Sequence, residues 1–135
     1  MAVHGIDHIN IRTGAMESTL AFLRDTLGLV PRPVQGLNSM EKVAWVCDSE
    51  GHAVLHIVRA DSPNAPGEPV PDAPPFGSGA IHHVALNCSG HNEMRERIVA
   101  SGVHFRERHV TSLGLRQLFV EDPAGILYEL NFSDE

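Results

Sequence analysis

Along residues 8–12 polar and aliphatic side chains alternate, so in a pleated strand His8, Asn10 and Arg12 share one face while Ile9 and Ile11 share the other. The pattern returns in mid-chain, where His83, Ala85 and Asn87 alternate with Val84 and Leu86. Gly5-Ile6-Asp7-His8-Ile9-Asn10-Ile11 and Gly79-Ala80-Ile81-His82-His83-Val84-Ala85-Leu86-Asn87 keep Ile-Xaa-His-aliphatic in register. A second pair, Ala53-Val54-Leu55-His56-Ile57-Val58 and Ile126-Leu127-Tyr128-Glu129-Leu130-Asn131, follows the turn signals Asp48-Ser49-Glu50-Gly51 and Asp122-Pro123-Ala124-Gly125. His8 lies 75 residues from His83 and His56 lies 73 from Glu129, which predicts two halves of one plan.

The stretches between these strands agree. Met16, Leu20, Leu23 and Leu27 recur at intervals of three and four and predict a helix over 15–27, with Thr13 as N-cap and Gly28 as a left-handed stop. Residues 29–34 read as an edge strand, because Pro31 and Pro33 cannot donate ladder hydrogen bonds, and 43–47 and 53–58 as two further strands. The second half repeats the order: a strand over 80–88, a helix from 91 to 100 with Met94, Ile98 and Val99 on one side and Gly102 past its end, then strands over 103–110, 116–120 and 126–132. Residues 61–78 hold six of the nine prolines and no periodicity, the composition of an extended connector. The expected fold is α+β, one domain of two β-α-β-β-β modules, with module one over 1–60, a Pro-rich linker over 61–78 and module two over 79–135.

Charge narrows the partners. A net charge of −7 supplies no basic stripe for a nucleic acid or an anionic membrane. No segment approaches the ~20 apolar residues that span a bilayer, and the N-terminus carries no basic region followed by an apolar run, so a cytoplasmic protein is expected. Cys47 and Cys88 form no Cys-Xaa-Xaa-Cys unit and are expected as buried free thiols.

The chemistry lies in the repeat. His8, His56, His83 and Glu129 fall in predicted strand centres among aliphatic neighbours, where an unpaired polar side chain is costly, and one divalent metal satisfies all four. Three imidazoles and a carboxylate suit Fe²⁺, Ni²⁺, Zn²⁺, Co²⁺ or Mn²⁺ better than Ca²⁺ or Mg²⁺. On an octahedral ion they leave two positions open for waters or a bidentate substrate, and Glu129 is the candidate catalytic base. His82, of opposite strand parity to His83, is the alternative ligand. Asn10 and Asn87, two residues beyond the histidines, and Arg116 are candidate substrate contacts.

The paired modules, the Asp7-His8-Ile9-Asn10-Ile11 start, Phe22-Leu23-Arg24-Asp25-Thr26-Leu27-Gly28-Leu29, and Asp122-Pro123-Ala124-Gly125 followed by Tyr128-Glu129-Leu130 resemble the vicinal oxygen chelate superfamily over nearly the whole chain. That superfamily includes glyoxalase I, methylmalonyl-CoA epimerase, fosfomycin-resistance transferases, bleomycin-binding proteins and extradiol dioxygenases. The resemblance implies a glyoxalase-like open barrel, each module curling into one half, with the metal held between them by His8, His56, His83 and Glu129. It also implies lyase or isomerase chemistry on a small-molecule substrate with adjacent oxygens. The alternatives are an extradiol-type ring-cleaving dioxygenase using Fe(II) or Mn(II), and a non-catalytic protein binding a drug or metabolite. The chain departs from glyoxalase I in having His56 where that enzyme usually has glutamate. A homodimer is expected, with the modules pairing within one chain or exchanging between two.

Overall fold

The alternating stretches become two four-stranded sheets, neither closed into a barrel. The computed structural model describes residues 1–63, 66, 68 and 75–133. Much of the expected linker over 61–78 lies outside the described residues. In the first module β1 (Ile9–Thr13), α1 (Met16–Ala21), β2 (Val30–Arg32), β3 (Val43–Cys47) and β4 (Ala53–Arg59) form a sheet of order β1-β4-β3-β2. The second module repeats this with β5 (Val84–Cys88), α2 (His91–Ser101), β6 (Phe105–Val110), β7 (Leu115–Glu121) and β8 (Leu127–Ser133), in the order β5-β8-β7-β6. The β-α-β-β-β plan is thus present twice, with the first and last strands of each module paired in parallel.

The predicted helical stripe is right in face and different in pitch. Met16, Leu20, Leu23 and Leu27 are all buried, but after Ala21 the helix widens into a π-turn over Phe22–Thr26, where Leu27 N–H donates to Phe22 O at 3.2 Å. Gly28 then stops it at φ 75°. Thr13 does not cap α1; Ala15 holds the N-cap position, and the Thr13 hydroxyl accepts instead from the Ala15 N–H at 2.9 Å. In α2, Ile98 is fully buried while Val99 is exposed, because only a narrow stripe of that helix meets the core.

Each sheet buries one face. Ile11, Leu55, Ile57, Val46 and Ala44 from the first, and Leu118, Val120, Tyr128, Leu130 and Phe132 from the second, belong to one hydrophobic cluster with Leu20, Phe22, Leu23 and Ile98 from the helical layer. The layer ties the modules together. Phe22 and Tyr128 rings lie 6.3 Å apart, and the Arg97 guanidinium covers Gly28 so closely that a Cβ there would meet it at 2.7 Å. With the apolar faces turned toward this shared core, the opposite faces of both sheets remain open.

Both hairpin turns are built alike. Asp48 Oδ1 accepts the Glu50 and His52 N–H groups, and Asp122 Oδ1 those of Ala124 and Ile126, with Gly51 and Gly125 at φ 86° and 81°. The Asp side chain replaces backbone partners inside the turn, and glycine takes the left-handed step at little steric cost. Cys47 is buried, Cys88 half-buried, and both are free.

Candidate functional site

The open faces carry the residues singled out by the alternation. On the first, Asn10 and Trp45 both lie beside His56 in the register, and His8 stands one residue before β1. On the second, Ala85 and Phe119 flank Glu129, and His83 stands one residue before β5. His56 and Glu129 therefore occupy strand interiors as expected, whereas His8 and His83 do not. The parallel ladders begin opposite Leu55 and Tyr128, so these two histidines sit at strand mouths.

Three imidazoles each have a partner at Nδ1. His8 Nδ1 lies 2.6 Å from Asp7 Oδ1, His56 Nδ1 3.2 Å from Asn10 Nδ2, and His83 Nδ1 2.9 Å from His82 Nδ1. His8 alone has a carboxylate on Nδ1, which leaves its Nε2 free for an ion as in carboxylate–histidine–metal arrangements, whereas His56 Nδ1 accepts from the Asn10 amide and so carries its proton on Nε2. His83 Nε2 points at Glu129 Oε2, 3.4 Å away. His82 thus stands behind His83 as its partner. Trp45 stacks on His56 at 4.3 Å between ring centres and meets the edge of His8 at 5.0 Å. His8 and His56 ring centres are 6.1 Å apart. Burial lowers the His56 pKa, with the nearby His8 adding to the effect.

Glu129 is held by amides. Gln117 Nε2 donates to Glu129 Oε1 at 2.7 Å and to Asn131 Oδ1 at 3.0 Å, and Asn131 Nδ2 donates to Glu129 Oε2 at 3.3 Å. Gln117 is only 5% exposed, and its Oε1 has no partner among the described residues.

Not every expected site residue joins this face. Asn10 and Asn87 do, by register. Arg116 does not: it is paired with Phe132, and Glu129 with Phe119, so alternation puts Arg116 on the opposite side of the sheet, where it lines a hollow with His91, Glu107 and His109.

The four candidate ligands gather as two pairs. His8 and His56 belong to one sheet, His83 and Glu129 to the other, and among the described residues no three His, Cys, Asp or Glu side chains come close enough to hold a metal ion. The donors fit a transition metal in kind, three imidazoles and a carboxylate on the open faces. In number, one chain brings together two at a time.

Trp45, Phe119 and Gln117 escaped the sequence reading. Counting back from the Asp122 turn, where Glu121 faces Leu127, brings Phe119 beside Glu129 and Gln117 beside Asn131. The same count fails for Trp45, because a bulge shifts the β3–β4 register between Val46 and Cys47.

Comparison with known proteins agrees with this architecture. Residues 5–130 match the Glyoxalase/Bleomycin resistance protein/Dioxygenase superfamily. A lactoylglutathione lyase from Agrobacterium tumefaciens superposes with a TM-score of 0.68 at 18% identity, covering 98% of this chain and 96% of that one. A glyoxalase family protein from Bacillus anthracis gives 0.70 at 19%, covering 99% and 98%. The fosfomycin resistance protein FosX from Listeria monocytogenes, a structure containing Mn(II) and 1S,2S-dihydroxypropylphosphonic acid, gives 0.69 at 21%, covering 98% and 94%. No curated protein matches. At such identities the likeness establishes the fold, and the sequence match over nearly the full length establishes the lineage: the chain belongs to the Glyoxalase/Bleomycin resistance protein/Dioxygenase superfamily.

Proposed function

We propose that the protein is a divalent-metal-dependent enzyme of the glyoxalase-like type, acting as a lyase or isomerase on a small substrate with two adjacent oxygens. Its site is completed when the first-module face of one copy meets the second-module face of another. The observation that carries this reading is the disposition of the donors: His8 and His56 on one open face, His83 and Glu129 on the other, each imidazole with Nδ1 occupied. Both apolar faces are spent on the shared core, so the pairs within one chain are kept from facing each other. A homodimer supplies the missing half to each site.

In that site His8, His56, His83 and Glu129 would hold the ion, with Fe, Ni, Zn, Co and Mn as the suitable metals. The bound cation would polarise the substrate oxygens and acidify a water. The chain does the rest. Glu129 accepts the substrate proton at its carboxylate, which Gln117 and Asn131 hold in one orientation. Asn10 and Asn87 offer amides to the substrate oxygens. Trp45 and Phe119, equivalent positions in the repeat, supply apolar walls that exclude water.

Untagged protein titrated with Mn²⁺ or Zn²⁺ is expected to take one ion per chain and to sediment as a dimer. A monomer that binds no metal overturns the proposal. Ring cleavage of catechols with O₂ uptake by the Fe²⁺-loaded protein replaces the lyase or isomerase assignment with a dioxygenase. No described helix is long and apolar enough to cross a membrane.

A further inference from the structure

Strand register draws a row of four residues across each open face. In the first sheet it runs Asn10, His56, Trp45, Arg32, and in the second Ala85, Glu129, Phe119, Arg106. The rows match position for position: ligand, aromatic neighbour, then an arginine on the edge strand. Two strand spacings put each arginine about 10 Å from the ligand strand. Within the modules Arg24, Arg59, Arg95 and Arg97 are matched to Asp25, Asp61, Glu107 and Glu93. Arg32 and Arg106 are exposed and make no hydrogen bond or ion pair among the described residues.

At Arg106 the row opens into a cavity of about 450 Å³, lined also by His82, His104, Phe119, Glu121 and Leu127. It adjoins the candidate ligands, since His82 is hydrogen-bonded to His83 and Phe119 is the cross-strand neighbour of Glu129. Phe119 and Leu127 give it an apolar floor on the same face as Glu129. Glu121, its one carboxylate, forms no ion pair with Arg106. A guanidinium fork without a carboxylate partner, beside two imidazoles and over an apolar floor, has the chemistry to take a planar or tetrahedral oxyanion attached to an apolar body.

We infer that this cavity binds the anionic end of a small organic acid, carboxylate or phosphonate, whose apolar body lies on Phe119 and Leu127 while Arg106 grips the anion. The inference deepens the proposed function by naming the substrate class, and rests on it only for where the reacting end lies. Binding to the cavity needs no metal.

The test is calorimetric titration of the full chain, stripped of metal with a chelator and then reloaded with Mn²⁺, using phenylacetate, phenylphosphonate and neutral benzyl alcohol. In the stripped protein at least one of the two anions binds at least about tenfold more tightly than the alcohol, and which of them does so decides between carboxylate and phosphonate. Arg106→Gln abolishes that preference. Arg108→Gln, the same charge change two residues along the same strand face, preserves it, and Glu121→Gln strengthens it. Both arginines are exposed, so the fold survives, as circular dichroism verifies. Equal binding of alcohol and anions, no anion binding at all, an unchanged preference in Arg106→Gln, or an equal loss in Arg108→Gln overturns the inference. Anion binding in stripped protein that fails to take up Mn²⁺ leaves it standing while the metal reading falls.

Discussion

Gln117 spends both amide hydrogens on Glu129 and Asn131 and leaves its own buried oxygen without a partner among the described residues. An orphaned buried acceptor costs about 1–3 kcal/mol, so the orientation is stable only because the two acceptors beside it need donors. Replacing Gln117 with methionine of similar shape removes the donors and the orphan together. The expected result is a change in unfolding free energy of less than about 1 kcal/mol in urea denaturation, because the two effects offset. Metal affinity, read by competition with a chelating dye, falls by about 10–100-fold as Glu129 loses its orientation. A variant that binds metal as wild type does removes Gln117 from the site.

At the scale of elements, the two hairpin turns pose one sequence solution in two environments. Asp48 is partly exposed, and the His52 backbone N–H, its strongest influence, lowers its carboxyl pKa. Asp122 is buried, accepts from Tyr128 Oη at 3.0 Å, and burial nonetheless raises its pKa above the ordinary 3.8. A raised folded-state pKa means that the folded chain holds the proton more tightly. That contribution is complete below pH 3.8 and is lost as pH rises through the folded value. Asp122→Asn removes the titration, so the stability of wild type relative to this variant is expected to decline as pH rises through that window. Urea denaturation at successive pH values measures it, and a flat or growing difference contradicts the burial argument. The turn glycines differ in the same way. Gly51→Ala, with open space around its Cβ, is expected to cost about 1–2 kcal/mol for the left-handed backbone alone. Gly125→Ala costs more, because its Cβ would meet Gly77 N and Phe76 at 2.9 Å.

These elements also mark how much the sequence disclosed. Period-two alternation and turn chemistry located the strands of both halves, because one face of each sheet is buried and register errors would expose it. Strand ends were less legible: the ladders start at Ile9 and Val84, where a parallel neighbour becomes available, and no local signal states that. The π-turn after Ala21, which packs against α2, left no mark in the helical spacing. At the site, His56 and Glu129 were visible as polar residues inside aliphatic strands. Gln117 went unnamed although a count from the turn reaches it, and the same count sets Arg116 on the other side of the sheet from Glu129. Trp45 was hidden by the bulge.

For the whole molecule, the decisive fact is which faces the modules bury against each other. With the helical layer and both apolar faces in one core, His8 and His56 look out from one sheet and His83 and Glu129 from the other. The proposed site requires a second copy to bring them together, and mixing two variants tests that requirement. His56→Ala breaks every first-module half-site, and Glu129→Ala every second-module half-site, so neither variant alone is expected to hold an ion tightly. Unfolded together in equal amounts and refolded, they form mixed dimers in which one of the two sites draws only on intact halves. Metal content should then return to about a quarter of the wild-type value per chain. Metal content that stays at the level of the separate variants, while wild type binds one ion per chain, means that each site is built within a single chain and contradicts the account.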